Sequence, residues 1–169
     1  MRFVDFLKTT VLLSAAGATL LAILTVLGAG RENDDSVVLY LAGWWIAATA
    51  IGAWIGRRRQ TSPAIAKLLA EARAATMMPD IRPAAILLNR LWPLLVTIVV
   101  AGGLSFLFPQ VAGIATGFAI IWSLTWRHQD AAVTAIEERD GVVFFVDQTS
   151  FLRPMKLQRL PGFRREIPS

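Results

Sequence analysis

The sequence predicts an all-α integral membrane protein, built as a four-span helical bundle with both ends of the chain in the cytoplasm. Apolar residues make up 55% of the 169 residues and charged residues only 17%, below the roughly 25% charged content of soluble domains. The charges also fall into clusters that are separated by long uncharged runs. A bilayer partitions a sequence in this way, because charged side chains are excluded from its hydrocarbon core.

The first two predicted spans, residues 9–30 and 36–56, are bounded by charges on both sides. Arg2 and Lys8 precede the first span, which is longer than the roughly 7–15 apolar residues of a secretory signal. We therefore expect an uncleaved first span. The polar loop 31–35 separates the two spans, and a run of arginines follows the second.

A cytoplasmic loop, residues 57–87, is predicted to follow the second span. Ser62 and Pro63 form a good helix start, because a hydroxyl can cap the first turn and proline suits its first position. Apolar residues then repeat at helical spacing up to Ala72, and Pro79 is expected to end the helix. The pattern predicts a short amphipathic helix on the membrane surface or against the bundle.

The third and fourth spans are predicted at residues 88–108 and 111–126. Residues 91–126 contain no charge, and this run is too long for one comfortable span and just enough for two. Pro109 and Gln110 at its centre are typical of a turn. The alternative is one heavily tilted span, which would place the C-terminal tail outside the cell.

Residues 1–126 are thus assigned to the transmembrane bundle and residues 127–169 to a small cytoplasmic tail. The fourth span is expected to continue as a helix until Asp140 and Gly141 break it. Val142–Val146 resembles a strand, and residues 152–160 alternate weakly, so a small β-hairpin is one option for the tail.

The orientation follows from the basic residues. Seven Arg and Lys residues lie in 57–90 and seven in the tail, against one in the loop 31–35, and basic residues mark the cytoplasmic side. Three tryptophans near span-bounding arginines are predicted interfacial anchors: Trp54, Trp92 and Trp126. We expect a multi-pass protein of a plasma membrane, from a bacterium.

Small residues recur at four-residue spacing in the second and fourth spans. Such spacing lets two helix backbones approach closely where lipid supplies no hydrophobic drive. The pattern is compatible with an interface to a partner or a second copy, and also with packing inside the bundle. The candidate residues are Ala48, Gly52, Gly56, Gly113 and Gly117.

Basic residues beside the spans and in the tail are candidates for contact with anionic lipid or with a cytoplasmic partner, since each attracts the negative membrane surface. A solvated tail is the alternative for those near the C-terminus. The candidates are Arg57, Arg58, Arg59, Arg153, Lys156 and Arg159.

The sequence offers little chemistry. It has no cysteine, and its spans carry no ionisable residue away from their ends, which argues against proton-coupled transport. No catalytic, cofactor-binding or metal-binding residues are predicted. The net charge of +5 collects beside the spans, so nucleic acid is not expected as a partner. The expected partners are the lipid bilayer and either other membrane subunits or a second copy of the chain.

These observations favour a non-enzymatic protein that acts by association, as an accessory or assembly subunit or as a homo-oligomer. A small passive channel or carrier, with a path lined by span hydroxyls such as Thr49 and Thr116, is the first alternative. A lipid-modifying membrane enzyme is the third option, with His128 and Asp130 as its candidate pair.

Overall fold

The computed structural model describes residues 1–32, 35–58, 60–75, 83–147 and 155–162, and it is mostly helical. Helices and strands follow one another along the chain with these bounds: α1 Phe3–Glu32, α2 Asp35–Gly56, α3 Pro63–Ala70, β1 Arg73–Ala74, α4 Pro83–Leu104, α5 Pro109–Trp126, α6 Gln129–Asp140, β2 Val142–Val146 and β3 Leu157–Pro161.

Within the described residues, three helices are long and apolar enough to cross a membrane: Phe3–Arg31, Ser36–Gly56 and Pro83–Leu104. The three helices agree with the predicted multi-pass membrane protein. Each has at least 21 residues, and a helix of about 20 residues spans the roughly 30 Å of hydrocarbon in a bilayer.

The turn between α4 and α5 lies earlier in the chain than the sequence predicted, because α4 ends at Leu104 and not at residue 108. Residues 105–108 form the turn, and Pro109 is the first residue of α5 instead of part of the turn. Proline is tolerated there because the first residue of a helix has no intrahelical partner for its N–H, and its fixed φ suits the helix. α5 thus begins two residues before residue 111, where the sequence predicted the fourth span to start.

The segment after α2 also differs from its prediction. Ser62 caps α3 as expected, since its Oγ accepts a hydrogen bond from the Ile65 N–H at 3.4 Å. However, α3 ends at Ala70, well before Pro79, and the chain continues into the short strand β1. Pro79 itself lies outside the described residues.

The tail does not continue the fourth span as one helix, because a turn at Arg127 and His128 separates α5 from α6. The predicted break after Asp140 is present: Gly141 has φ 63° and ends α6 in the left-handed conformation, which is the usual role of glycine at this position.

Among the described residues, the strands form one sheet in the order β1-β3-β2. β2 and β3 are antiparallel, with Val142 opposite Pro161 and Val146 opposite Leu157. β1 lies parallel to β3 on its other side. The sheet therefore recruits a strand from the segment after α2, which the sequence did not predict.

The chain divides into two compact units. The membrane unit comprises Thr9–Arg58 and Leu91–Arg127, and the surface unit comprises Met1–Lys8, Arg59–Arg90 and His128–Ser169. Leu21, Ala101 and Ala112 form a buried cluster in the membrane unit. The surface unit buries apolar side chains from its helices and its sheet: Phe3, Ile65, Val133, Phe144, Val146 and Leu157.

Candidate association surface and interfacial residues

In the membrane unit, α2 and α5 lie backbone to backbone at their carboxyl ends. A Cβ added at Gly52 would lie 3.0 Å from the Ile121 Cα, and one added at Gly56 would overlap the Leu124 carbonyl and lie 3.1 Å from the Thr125 Cα. Glycine is needed at this crossing, because any side chain would push the helices apart and lose their dispersion contacts.

The other half of the same interface is formed by large side chains of α2 that fill spaces over α5 glycines. Leu41 covers Gly113 and the Trp44 indole covers Gly117, while Ala48 is fully buried. The predicted small residues thus contact one another's helices within the chain. Their surfaces are occupied there and are not free for a second protein.

Two indole groups tie α2 to α5 by hydrogen bonds. The Trp45 Nε1–H donates to the Gly113 carbonyl oxygen at 2.8 Å, and the Trp44 Nε1–H donates to the Ile114 carbonyl oxygen at 3.2 Å. An unpaired indole N–H would be costly in hydrocarbon, so both groups need an acceptor. The glycine gaps bring the α5 carbonyls within reach of the rings.

The contacts also give the relative direction of the helices. Residues 41, 44, 52 and 56 of α2 meet residues 113, 117, 121 and 125 of α5 in the same order, so α2 and α5 are parallel. Gly17 meets Ile98 and Gly102 meets Leu24, so α1 and α4 are parallel as well. α5 therefore lies beside α2 over much of its length.

Several threonine hydroxyls of the apolar helices bond to their own backbones, although the buried Thr125 hydroxyl does not. Thr19, Thr49, Thr97 and Thr116 each donate to the carbonyl four residues earlier, at 2.7–3.0 Å. Such bonds satisfy the hydroxyl proton inside its helix. The hydrogen-bonding capacity that these oxygens keep is for accepting, not donating.

An open groove lies between α4 and α5. Its volume is about 610 Å³, and its lining is almost wholly apolar. Val96, Val99, Val100 and Gly103 lie beside it on one face of α4 and are exposed; we call this set the α4 outer face. A Cβ added at Gly103 would meet no atom of the chain within 4 Å.

The predicted anchor tryptophans lie at the surface to different degrees. Trp54 and Trp92 are 68% and 45% exposed, and Trp126 stacks on Trp122 with a centroid distance of 5.6 Å. Trp54 lies near the carboxyl end of α2, where an indole can meet both hydrocarbon and water, whereas Trp92 is the tenth residue of α4.

Among the predicted basic contact residues, Arg57 and Arg58 are exposed and follow α2. Lys156 and Arg159 are exposed in the surface unit, with Arg159 in β3 opposite Phe144. Arg59 and Arg153 lie outside the described residues. The described candidates thus belong to two different units.

The surface unit contains a buried carboxylate that sequence reasoning missed. Glu137 Oε1 accepts from the Phe144 N–H at 2.9 Å, and Oε2 accepts from Arg2 Nη2 at 2.8 Å. The first residues of the chain also pair with β2, since the Val146 N–H donates to the Met1 carbonyl oxygen at 3.0 Å. The side of β2 that faces away from β3 is thereby paired, which protects an edge that could otherwise bind another strand.

Comparison of the chain with protein-family models, with curated proteins and with solved structures found no match.

Proposed function

We propose that this is a four-span, non-enzymatic protein of a bacterial plasma membrane that acts by association, either with a second copy or with another membrane subunit. The observation that carries the proposal is the α4 outer face. It places an open glycine beside a wide apolar groove on a helix that is long enough to cross the bilayer.

Two features support four crossings. The surface unit comprises Met1–Lys8 with the first turns of α1, Arg59–Arg90 with the first residues of α4, and His128–Ser169. We take the segments of one folded unit to lie on one side of a membrane. The chain between them must then cross an even number of times. In addition, α4 and α5 run parallel to α1 and α2 respectively at matching residues.

α5 is the shortest of the helices assigned to the four crossings. α5 has 18 residues, or about 27 Å at 1.5 Å per residue, slightly less than the roughly 30 Å of hydrocarbon. Local thinning of the bilayer accommodates such a difference at modest cost. Seven basic residues in 57–90 and seven in the tail, against one in 31–35, support a cytoplasmic surface unit.

The glycine distribution supports association outside the α2–α5 contact. Gly52, Gly56, Gly113 and Gly117 are already covered within the chain, whereas Gly103 and Gly43 are open, and Gly103 has the apolar groove beside it. Gly103 lies in the last turn of α4, and its missing side chain lets a second helix approach the backbone closely. The hydroxyl bonds to the helices' own carbonyls make a hydroxyl-lined path the weaker alternative.

Disulfide crosslinking in native membranes tests association, and the cysteine-free sequence gives it no background. We expect Val99→Cys to form a crosslinked dimer, or an adduct with a partner, and Gly103→Leu in that variant to abolish the crosslink. Gly43→Leu is the matched control, because Gly43 is also exposed and also open within the chain. A strict monomer with no crosslinked or co-purified partner would rule out the proposal.

Labelling with a membrane-impermeant maleimide tests the topology. Gln110→Cys lies beside the α4–α5 turn and should react in intact cells, whereas Lys156→Cys should react only after permeabilisation. Equal reactivity of both positions in intact cells would contradict four crossings.

A further inference from the structure

We infer that the membrane unit holds an anionic phospholipid, with its headgroup on Arg57, Arg58 and Arg127 and the upper part of one acyl chain in the groove between α1, α2 and α5. We call these three residues the arginine cluster. The inference is independent of association, because a monomer would present the same site.

The cluster forms because α2 and α5 are parallel and touch at their carboxyl ends. Gly56 lies against Leu124 and Thr125, and the chain leaves α2 directly into Arg57 and Arg58 and leaves α5 directly into Arg127. All three side chains are exposed. From the sequence alone, Arg127 lies 69 positions after Arg58, and no pattern joins them.

The charge at this end is of one sign within the membrane unit. Neither 36–58 nor 91–127 contains an Asp or Glu, so the unit provides no carboxylate there to neutralise the arginines. A phosphodiester can accept several guanidinium hydrogen bonds at once, and Arg suits this geometry better than Lys. A zwitterionic headgroup carries the same phosphodiester together with a cation of its own, which the arginines repel, so a cluster of one sign favours an anionic headgroup.

The groove gives the site its second part. Its volume is about 450 Å³, and its lining includes Ala15, Thr19, Thr49, Ser123 and Leu124. Because the hydroxyl protons of Thr19 and Thr49 are bonded to their own helices, the groove presents mainly methyl and methylene groups to an acyl chain.

The groove and the cluster are continuous along α5. Ile120, Ser123 and Leu124 line the groove, and Arg127 follows Ile120 by seven positions, which places it on the same helical face. The backbone at Arg127 is still helical, with φ −57° and ψ −21°. A lipid with its chain in the groove therefore has its phosphate beside the cluster.

Native mass spectrometry of the full-length protein in detergent tests the inference, with phosphatidylglycerol and phosphatidylcholine as probes. We expect phosphatidylglycerol to bind at least tenfold more tightly. The variant R57Q/R58Q/R127Q should weaken it by roughly fivefold per arginine and leave phosphatidylcholine unchanged. K67Q/R73Q/K156Q removes the same charge from exposed residues of the surface unit and should have little effect.

A second pair of variants tests the groove. Ala15→Phe should fill it and weaken both lipids, whereas Ala16→Phe, at an exposed neighbouring residue that is not part of this lining, should not. Equal binding of the two lipids by the wild-type protein, or equal losses in the two charge variants, would overturn the headgroup assignment. Equal losses in A15F and A16F would overturn the acyl-chain assignment.

Discussion

Arg2 and Glu137 are 135 positions apart in the sequence, yet the Arg2 Nη2 lies 2.8 Å from the Glu137 Oε2. The Glu137 side chain is only 4% exposed, while that of Arg2 is 48% exposed. Glu137 also accepts from the Phe144 N–H. One carboxylate therefore joins α6, β2 and the start of the chain within the surface unit.

Replacing Glu137 by Leu should destabilise the surface unit. The change leaves the buried Phe144 N–H without its acceptor and costs about 1–3 kcal/mol. Hydrogen exchange measured by mass spectrometry should show roughly ten- to a hundredfold faster exchange across Val142–Val146.

Two variants, one at Glu137 and one at the adjacent Glu138, serve as controls for that prediction. Glu137→Gln keeps an acceptor for the Phe144 N–H and should lose less protection than Glu137→Leu. Glu138→Gln, at an exposed residue, should change exchange little. If E138Q matched E137L, the carboxylate geometry would not be the cause.

Replacing Gly56 by Val should destabilise the membrane unit, because the new Cβ would overlap the Leu124 carbonyl and force the α2 and α5 backbones apart. We expect a loss of about 2 kcal/mol or more, seen as a lower midpoint of thermal unfolding in detergent. Gly43→Val introduces the same side chain where no atom lies within 4 Å. A similar loss in G43V would show that helix propensity, not the crossing, is responsible.

Replacing Trp45 by Phe should remove the hydrogen bond to the Gly113 carbonyl oxygen while keeping an aromatic ring. Hydrogen bonds between membrane helices contribute about 0.6 kcal/mol on average and at most about 1.7, so the expected loss is of that order, measured by thermal unfolding. Trp54→Phe, at a largely exposed indole, is the control. No difference between W45F and W54F would show that this bond adds nothing to stability.

Replacing Gly141 by Ala should destabilise the junction between α6 and β2, because a side chain at φ 63° costs roughly 1–2 kcal/mol. Asn adopts the left-handed conformation more readily, so Gly141→Asn should lose less. The rate of hydrogen exchange at residues 138–146 should therefore increase from the wild-type protein to G141N and then to G141A. The reverse order would mean that the left-handed conformation is not maintained in solution.

Much of the membrane unit could be predicted from the sequence because charge and length are local signals. Arginines and acidic residues bound α1 and α2, and the uncharged run 91–126 has room for two helices. Gly141 was likewise identified as a break from Asp140-Gly141 alone. In each case the determining residues are close together in the chain.

The surface unit was harder to predict from the sequence, because its contacts join segments that are far apart in the chain. β1 has only two residues, Arg73 and Ala74, and its partner β3 is more than 80 positions further on. Glu137 stands next to Glu138 on a polar helix, so nothing in the pattern separates the buried carboxylate from the exposed one. Arg57 and Arg58 were predicted as contacts for anionic lipid, but the proposed place of Arg127 beside them was missed, since it depends on the parallel packing of α2 and α5.

The strand order has a consequence for biosynthesis. β3 is the central strand of the sheet, yet it is the last of the strands to leave the ribosome. At roughly 5–20 residues per second, β1 waits on the order of ten seconds for its partner. During that interval β1 and β2 lack their central partner, so a chain that stalls before β3 would expose unpaired strand edges to chaperones and proteases.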